Sequence, residues 1–515
     1  MEKIYLFLSK TINRIFFVLF FLTLYFAIDS PNIIIGDNPK YGQSTTVVST
    51  LFIVIGILSF IFYLTFDKIK KFILYIFSEY KYVTAIVMFV IVIILQIFFV
   101  YYTHPEVGWD AGALHEVIEN NRSGYNPELV GYFSSNTNNL PIVILMYKLS
   151  IFFGKTSWIF FDYITLLLVD LSAILNIVSV AIIDKKKVPI AIYAHVIFLL
   201  LFPSIIIPYT DTWVMPLVSG MLICYFLLIK KNFNILFNSL TIIILGILAV
   251  GTYHIKPSAI VPVIAMIIIE VLSMLRTKKV RVSKRVVILM SFFLISSFAT
   301  QRFIKYQVNN QTIINVIKGR EIPAIHFVSM GISGDGGYNP DDALKMSVLQ
   351  TKKERIEYSK DKLVERLKKL GPFGYIEFLL KKHSNNTSDG TFGWGKEGEF
   401  FKESKVLSNK SISDKIKNYI YLYGTHIEDL RYLSQVFYII LLLVIFLGGD
   451  KNNKDILFFK IGILGGFFYL LIFEGGRSRY LIQFFPIFLL LFILSFSNSI
   501  SRVKDFFTWK DIEKV

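Results

Sequence analysis

The run Val83-Thr84-Ala85-Ile86-Val87-Met88-Phe89-Val90-Ile91-Val92-Ile93-Ile94-Leu95-Gln96-Ile97-Phe98-Phe99-Val100 decides the fold of this chain. It is apolar over 18 residues, interrupted only by Thr84 and Gln96. Crossing a hydrocarbon core of ~30 Å takes roughly 20 helical residues. A helix on a soluble core would instead turn a polar face outward. Leu236 to Val250 repeats the pattern, and 54% of the 515 residues are hydrophobic while only 18% are charged. A soluble protein of average composition carries about 25% charged residues. An all-α polytopic membrane protein is expected.

Working outward from that run, the apolar blocks predict about twelve transmembrane helices, near 15–28, 47–66, 83–102, 157–183, 188–207, 212–229, 235–253, 257–275, 286–304, 431–447, 455–473 and 480–497. No small-x-small cleavage site follows the first block, so it reads as a retained helix and not a signal peptide. The net charge of +17 is no nucleic-acid footprint. Lys and Arg gather instead in short loops: Lys68/Lys70/Lys71/Lys81, Lys185–Lys187, Lys230/Lys231, Arg276–Arg285 and Lys451/Lys454. With twelve spans these loops share one face with both termini, and the positive-inside rule makes that face cytoplasmic. Counting the 14 apolar residues Leu140 to Phe153 as a crossing would put Lys185–Lys187 outside. That stretch is also short for a span, so it is expected to be a re-entrant or interfacial helix on the outer side.

The organisation that follows has an N-terminal two-helix hairpin over 1–82 and a transmembrane core over 83–304 with an outer loop at 103–156. A mixed extracytoplasmic soluble module fills 305–430, and the last helices and a cytoplasmic tail occupy 431–515. Within the module, Glu354 to Leu370 reads as an amphipathic helix with Ile356, Leu363 and Leu367 on one face. No internal repeat is visible. The single cysteine, Cys224, excludes an intramolecular disulfide and a Cys-ligated metal site.

Polar residues with chemical capacity cluster in the outer loops. Gly108-Trp109-Asp110-Ala111-Gly112 follows the third span, with His115 and Glu116 behind it. A carboxylate there can take a proton from an attacking hydroxyl, or can be a solvated loop acid beside an interfacial tryptophan anchor. In Tyr132 to Pro141, Asn138 and Asn139 stand beside aromatic rings, a composition suited to carbohydrate and equally to helix capping. Pro208-Tyr209-Thr210-Asp211-Thr212-Trp213 fills a short outer turn, and His254 and Lys256 occupy another. Asp211 is a site candidate or a plain N-cap, His254 a ligand-side or structural histidine, and Lys256 a partner for a lipid phosphate. Glu474-Gly475-Gly476-Arg477-Ser478-Arg479-Tyr480 breaks the positive-inside pattern with two arginines. A guanidinium fork binds phosphate bidentately; the competing reading pairs the arginines with Glu474 or with outer headgroups. His326-Phe327-Val328-Ser329-Met330-Gly331, Gly334 to Asn339 and Asp389 to Glu399 are dense in Gly and aromatics, which line a site or simply turn the chain. Neither metal-ligand spacing nor a Walker-type phosphate loop is present, although use of a divalent cation stays open.

These motifs, in this order and on one membrane face, resemble the GT-C membrane glycosyltransferases, in particular the protein-mannosyltransferase-like and aminoarabinose-transferase-like branch. The residues carrying the resemblance are Asp110, Asn138 to Pro141, Asp211, Lys256-Pro257 and Arg477-Ser478-Arg479-Tyr480. The Phe-Val-Ser-Met-Gly, Gly-Gly-Tyr-Asn and Gly-Thr-Phe-Gly-Trp elements look like a Gram-positive bacterial subgroup. The resemblance runs from about Tyr82 onward; an extra pair of spans before Asp110 and the lack of a paired acid beside it depart from the pattern. It implies an inverting transfer from a polyprenyl-phosphate sugar to an extracytoplasmic acceptor such as teichoic acid or another wall polysaccharide. Asp110 would be the general base, and Arg477, Arg479 and Lys256 would receive the leaving phosphate. Asp211, His254, Asn138, Asn139, Trp109, His326 and Glu474 would complete the site. Membrane lipid is an expected partner and nucleic acid is not. A flippase or secondary transporter, a wall-polymer polymerase or ligase, and a non-catalytic scaffold are the competing readings. Asp162 and Asp170, inside the fourth span, favour the transporter.

Overall fold

The computed structural model describes residues 2–119, 125–231, 233–277, 284–393, 401–402, 408–449 and 453–508. Among them the chain is almost entirely helical. The first helices are α1 (Glu2–Ile28), α2 (Val47–Thr65), α3 (Asp67–Leu74), α4 (Lys81–Thr103), α5 (Trp109–Glu119), α6 (Pro127–Ser135) and α7 (Leu140–Phe153). The core continues with α8 (Trp158–Ile183), α9 (Val188–Leu200), α10 (Thr210–Trp213), α11 (Met215–Lys230), α12 (Ile235–Ile255), α13 (Val261–Thr277) and α14 (Lys284–Asn309). Then come α15 (Ala324–Met330), α16 (Pro340–Val348), α17 (Lys352–Thr387), α18 (Ile412–Lys417), α19 (Ile427–Gly448), α20 (Lys454–Ile472) and α21 (Phe485–Thr508). One small antiparallel pair, β1 (Asp37–Asn38) and β2 (Gln43–Ser44), lies between α1 and α2.

Eleven helical stretches among the described residues are long and apolar enough to cross a membrane. The block expected as one span over 188–207 is different: α9 stops at Leu200 and a 3-10 turn follows at Pro203–Ile206. Pro203 disfavours the helical conformation at Phe202, whose φ −111° and ψ 86° end the helix. The chain nevertheless travels between two faces there. At one face, Tyr82 at the start of α4 donates to the Lys185 carbonyl (3.4 Å), and Tyr193 donates to that of Lys81 (3.2 Å). Lys230 meets Asp455 (2.7 Å) and Lys454 meets Glu270 (2.8 Å) on the same side. At the other, His115 of α5 stacks on Trp158 at 3.9 Å. Lys81, Lys185, Lys230 and Lys454 thus lie opposite Asp110.

The Leu140–Phe153 stretch is a 14-residue helix, opened by Pro141 and closed by Gly154 at φ +64°. Its start is tied to α5 through Asn139 and Tyr132, and its end leads into Trp158 on His115, so both ends lie on the Asp110 face.

Among the described residues the helices of the 305–430 module are α15 to α18, Phe401 adds an isolated antiparallel bridge to Val107, and the two-stranded sheet belongs to the α1–α2 connection. Two expectations are corrected. The helix from Lys352, opened by a Thr351/Glu354 capping box, does not bury Leu367, which is 39% exposed. Arg355 and Ser359 are buried instead, because the Arg355 guanidinium donates to the carbonyls of Gly319, Arg320 and Gln350. Finally, α1 does not form a hairpin with α2; it packs against α13, α17, α19 and α20, with Phe16 and Phe20 fully buried. The module is no detached domain either, since His383 of α17 bonds Thr23 of α1 at 2.9 Å.

Candidate functional site

Asp110 sits in the first turn of α5, where the positive end of the helix favours a carboxylate. The preceding Trp109 is held at φ +52° with its indole 71% exposed. A bulky residue in that left-handed region carries a strain of about 1–3 kcal/mol. Gly112 lets the turn sit close, since a Cβ there would come 2.6 Å from the Val107 carbonyl oxygen.

Two tyrosines hold the Asp110 carboxylate. Tyr132 of α6 donates to Oδ1 at 2.8 Å, and Tyr209, just before α10, donates to Oδ2 at 3.1 Å. Asn139 donates to the Tyr132 oxygen at 2.6 Å, and Asn138 donates to Asn139 Oδ1 at 3.3 Å. Burial first, and the Asp110 charge second, push both phenols well above their usual value, so they remain neutral donors.

Two residues beyond Tyr209, Asp211 turns to a second cluster. Lys256, at the end of α12, pairs with Asp211 Oδ1, and Arg479 Nε lies 3.5 Å from Oδ2. The Tyr480 ring faces both cations, 5.2 Å from Lys256 Nζ and 5.4 Å from the Arg479 guanidinium carbon. Such contacts contribute about 0.5–2 kcal/mol each. Tyr480 also donates to Glu474 at 3.3 Å. Burial raises the Glu474 carboxyl, Arg477 and Arg479 pull it down, and Asp110 raises it again. The two clusters therefore share one electrostatic neighbourhood.

The glycine stretches of the module act on the arginine loop. Gly475 N–H donates to the Gly336 carbonyl at 2.9 Å, and Gly476 N–H to Asn386 Oδ1 at 2.6 Å. A Cβ on Gly476 would meet the Asp335 carbonyl oxygen at 2.7 Å, and one on Gly337 that of Gly475 at 2.8 Å. Close backbone approach explains these glycines.

Asp110, Asn139, Asp211, Lys256, Glu474 and Arg479 are thus brought together, with Arg477, Asn138 and Trp109 at the edge. Two candidates lie elsewhere. His254 bonds Gln301 of α14 at 2.7 Å. His326 is buried in the module near Asp342 and Arg366, where desolvation lowers its basicity. Asp389 accepts from Asn32 and from Thr391, and Gly390 N–H donates to Gln435; Trp394 to Glu399 lie outside the described residues. Among the described residues, no group of three or more His, Cys, Asp or Glu side chains is placed to hold a metal ion.

Over residues 4–500 the chain matches the model of a family described as conserved hypothetical integral membrane protein. The chain belongs to this family. No curated protein matches it, and no solved structure does. In this multi-pass membrane protein, Tyr132 and Tyr209 are the site residues that sequence reasoning did not single out. Both stand in stretches already notable for Asn139 and Asp211, but nothing in the sequence joins positions 132 and 209 to 110.

Proposed function

We propose that this protein is a membrane glycosyltransferase that moves a sugar from a polyprenyl-phosphate donor to an extracytoplasmic wall polymer such as teichoic acid or another polysaccharide. The observation that carries the reading is the pairing of a clamped carboxylate, Asp110, with the Asp211–Lys256–Arg479 cluster through the Tyr209 turn. The lysine loops on the opposite face support a cytoplasmic assignment for that face and the termini, and an outer one for Asp110.

In this reading the acceptor hydroxyl attacks the anomeric carbon and gives its proton to Asp110. The bond from that carbon to the phosphate oxygen breaks with inversion, and the electron pair leaves on the phosphate. Lys256, Arg477 and Arg479 stabilise the charge that develops there. Asp211 holds two of these cations in register. The experiment supplies reconstituted protein with polyprenyl-phosphate sugar and a wall-polymer acceptor, and follows release of the lipid phosphate. Asp110→Asn is expected to lower turnover by about 100-fold or more, and Arg477→Ala to lower it too. Turnover unchanged in both variants refutes the mechanism.

A lipid-linked glycan flippase is the second reading. It is favoured by Asp162 of α8, which is fully buried with neither carboxylate oxygen in a hydrogen bond. Glycan translocation without release of lipid phosphate would select it.

A further inference from the structure

A carboxylate that removes a proton must hold a lone pair toward the incoming hydroxyl. An aspartate at the start of a surface helix has two side-chain torsions with which to lose that aim. Here both oxygens are engaged from different elements, Oδ1 by α6 through Tyr132 and Oδ2 by the turn before α10 through Tyr209. Two anchors define the plane of the carboxylate as well as its position.

The direction of one anchor is itself fixed. A tyrosine hydroxyl has a single proton and can also accept. Asn139 Nδ2 donates to the Tyr132 oxygen at 2.6 Å, which leaves the hydroxyl proton to Asp110. Asn139 is buried, at 3% exposure. Each carboxylate oxygen has room for about two hydrogen bonds, so each keeps one acceptor position after its tyrosine. The second anchor has a further effect. Tyr209 and Asp211 are two residues apart on one buried turn, and Asp211 grips Lys256 and Arg479. One backbone segment therefore sets the separation between the carboxylate and the cations.

We infer that Tyr132, Tyr209 and Asn139 are positioning residues for Asp110, and that Tyr209 couples its placement to the cation cluster. The activity arm of this inference rests on the proposed glycosyl transfer; its spectroscopic arm does not.

The test uses Tyr132→Phe, Tyr209→Phe and Asn139→Leu in the full-length protein, reconstituted in bilayers. Phenylalanine keeps the ring and removes the donor. A lost donor to a charged carboxylate makes the charged form harder to reach, so the acid limb of the turnover profile moves upward by about one to two pH units. Read across the whole profile, the midpoint of that limb shifts, whereas a purely structural defect lowers the plateau and leaves the midpoint in place. Asn139→Leu is expected to move the limb the same way by less. In parallel, infrared titration without substrate follows the carboxylate band that Asp110→Asn removes, and its midpoint is expected to rise in each tyrosine variant. A rise in midpoint supports the inference even if no protein in the series turns over, in which case the glycosyl-transfer reading alone fails. Midpoints equal to the unmodified protein overturn it, whatever the activity. Should Tyr209→Phe not fold, Tyr132→Phe and Asn139→Leu decide between the same two outcomes.

Discussion

Replacing Lys382 by methionine probes how the segment from α15 to α17 is seated on the bundle. Lys382, fully buried in α17, donates to the carbonyls of Gly331 (2.6 Å), Leu471 (3.1 Å) and Phe473 (2.7 Å). Leu471 and Phe473 stand at the end of α20, where the last carbonyls have no helical partner. Burial lowers the ammonium from 10.5 to about 8, against an upward pull from Glu474. Keeping it charged at pH 7 thus costs about 3 kcal/mol. Methionine removes that cost but leaves three carbonyls without a donor, at about 1–3 kcal/mol each. The net expectation at pH 7 is a loss of up to about 6 kcal/mol. The pH response gives the sharper test. A lysine whose folded value lies below its unfolded one leaves the folded state with fewer protons, so raising the pH through 8 toward 10.5 relieves the burden. Between pH 7 and 9.5 the unmodified protein should gain about 2 kcal/mol over Lys382→Met. Paired thermal melts in detergent, read by tryptophan fluorescence, measure this gap. A gap that stays constant or narrows over that interval refutes the reasoning.

Gly448→Ala should cost about 1–3 kcal/mol, because the new Cβ would come 2.1 Å from the Ser495 carbonyl oxygen where α19 crosses α21. Gly56→Ala, with nothing within 4 Å, is the control, and size-exclusion profiles after heating compare the two. Glu428→Leu should lose about 3–5 kcal/mol, since it takes the carboxylate away from the buried Arg431 and leaves it Gln43 and the Tyr41 ring. Adding Arg431→Met should recover much of the loss in the same melts, and no recovery would count against the pair. In a Cys224→Ser background, an impermeant maleimide applied to intact cells should label Asn310→Cys and spare Lys70→Cys. The reverse pattern would invert the proposed orientation.

The transmembrane helices were legible because hydropathy over some 20 residues is a long-range signal that single substitutions cannot erase. The break at Leu200 was not, since Leu201, Phe202 and Pro203 continue an apolar run and only the backbone preference before Pro203 marks the stop. In α17 Ile356 and Leu363 are half-buried, but Leu367 is exposed and Arg355 is buried on the carbonyls of Gly319 and Arg320, which apolar spacing does not announce. Asp110, Asp211, Lys256 and Arg479 were found as charges in the wrong place for the membrane pattern. Tyr132 and Tyr209 escaped because a tyrosine near an interface is ordinary. His254 and His326 were singled out on residue type, and each has a local partner or neighbour that accounts for it.

What joins the fold to the site is where the helices break. Asp110 follows the gap between α4 and α5, Asp211 that between α9 and α11, Lys256 the end of α12, and Arg479 the 3-10 turn between α20 and α21. Four breaks meet here, joined through the side chains of Asp110, Tyr209, Asp211, Lys256 and Arg479. Stability alone does not explain the choice of residues. A buried carboxylate between two cations contributes little beyond what apolar groups of the same volume would give, and Trp109 adds backbone strain to the same spot. The proposed handling of charge at this end of the bundle would account for an arrangement that apolar groups of the same volume could replace at little loss of stability.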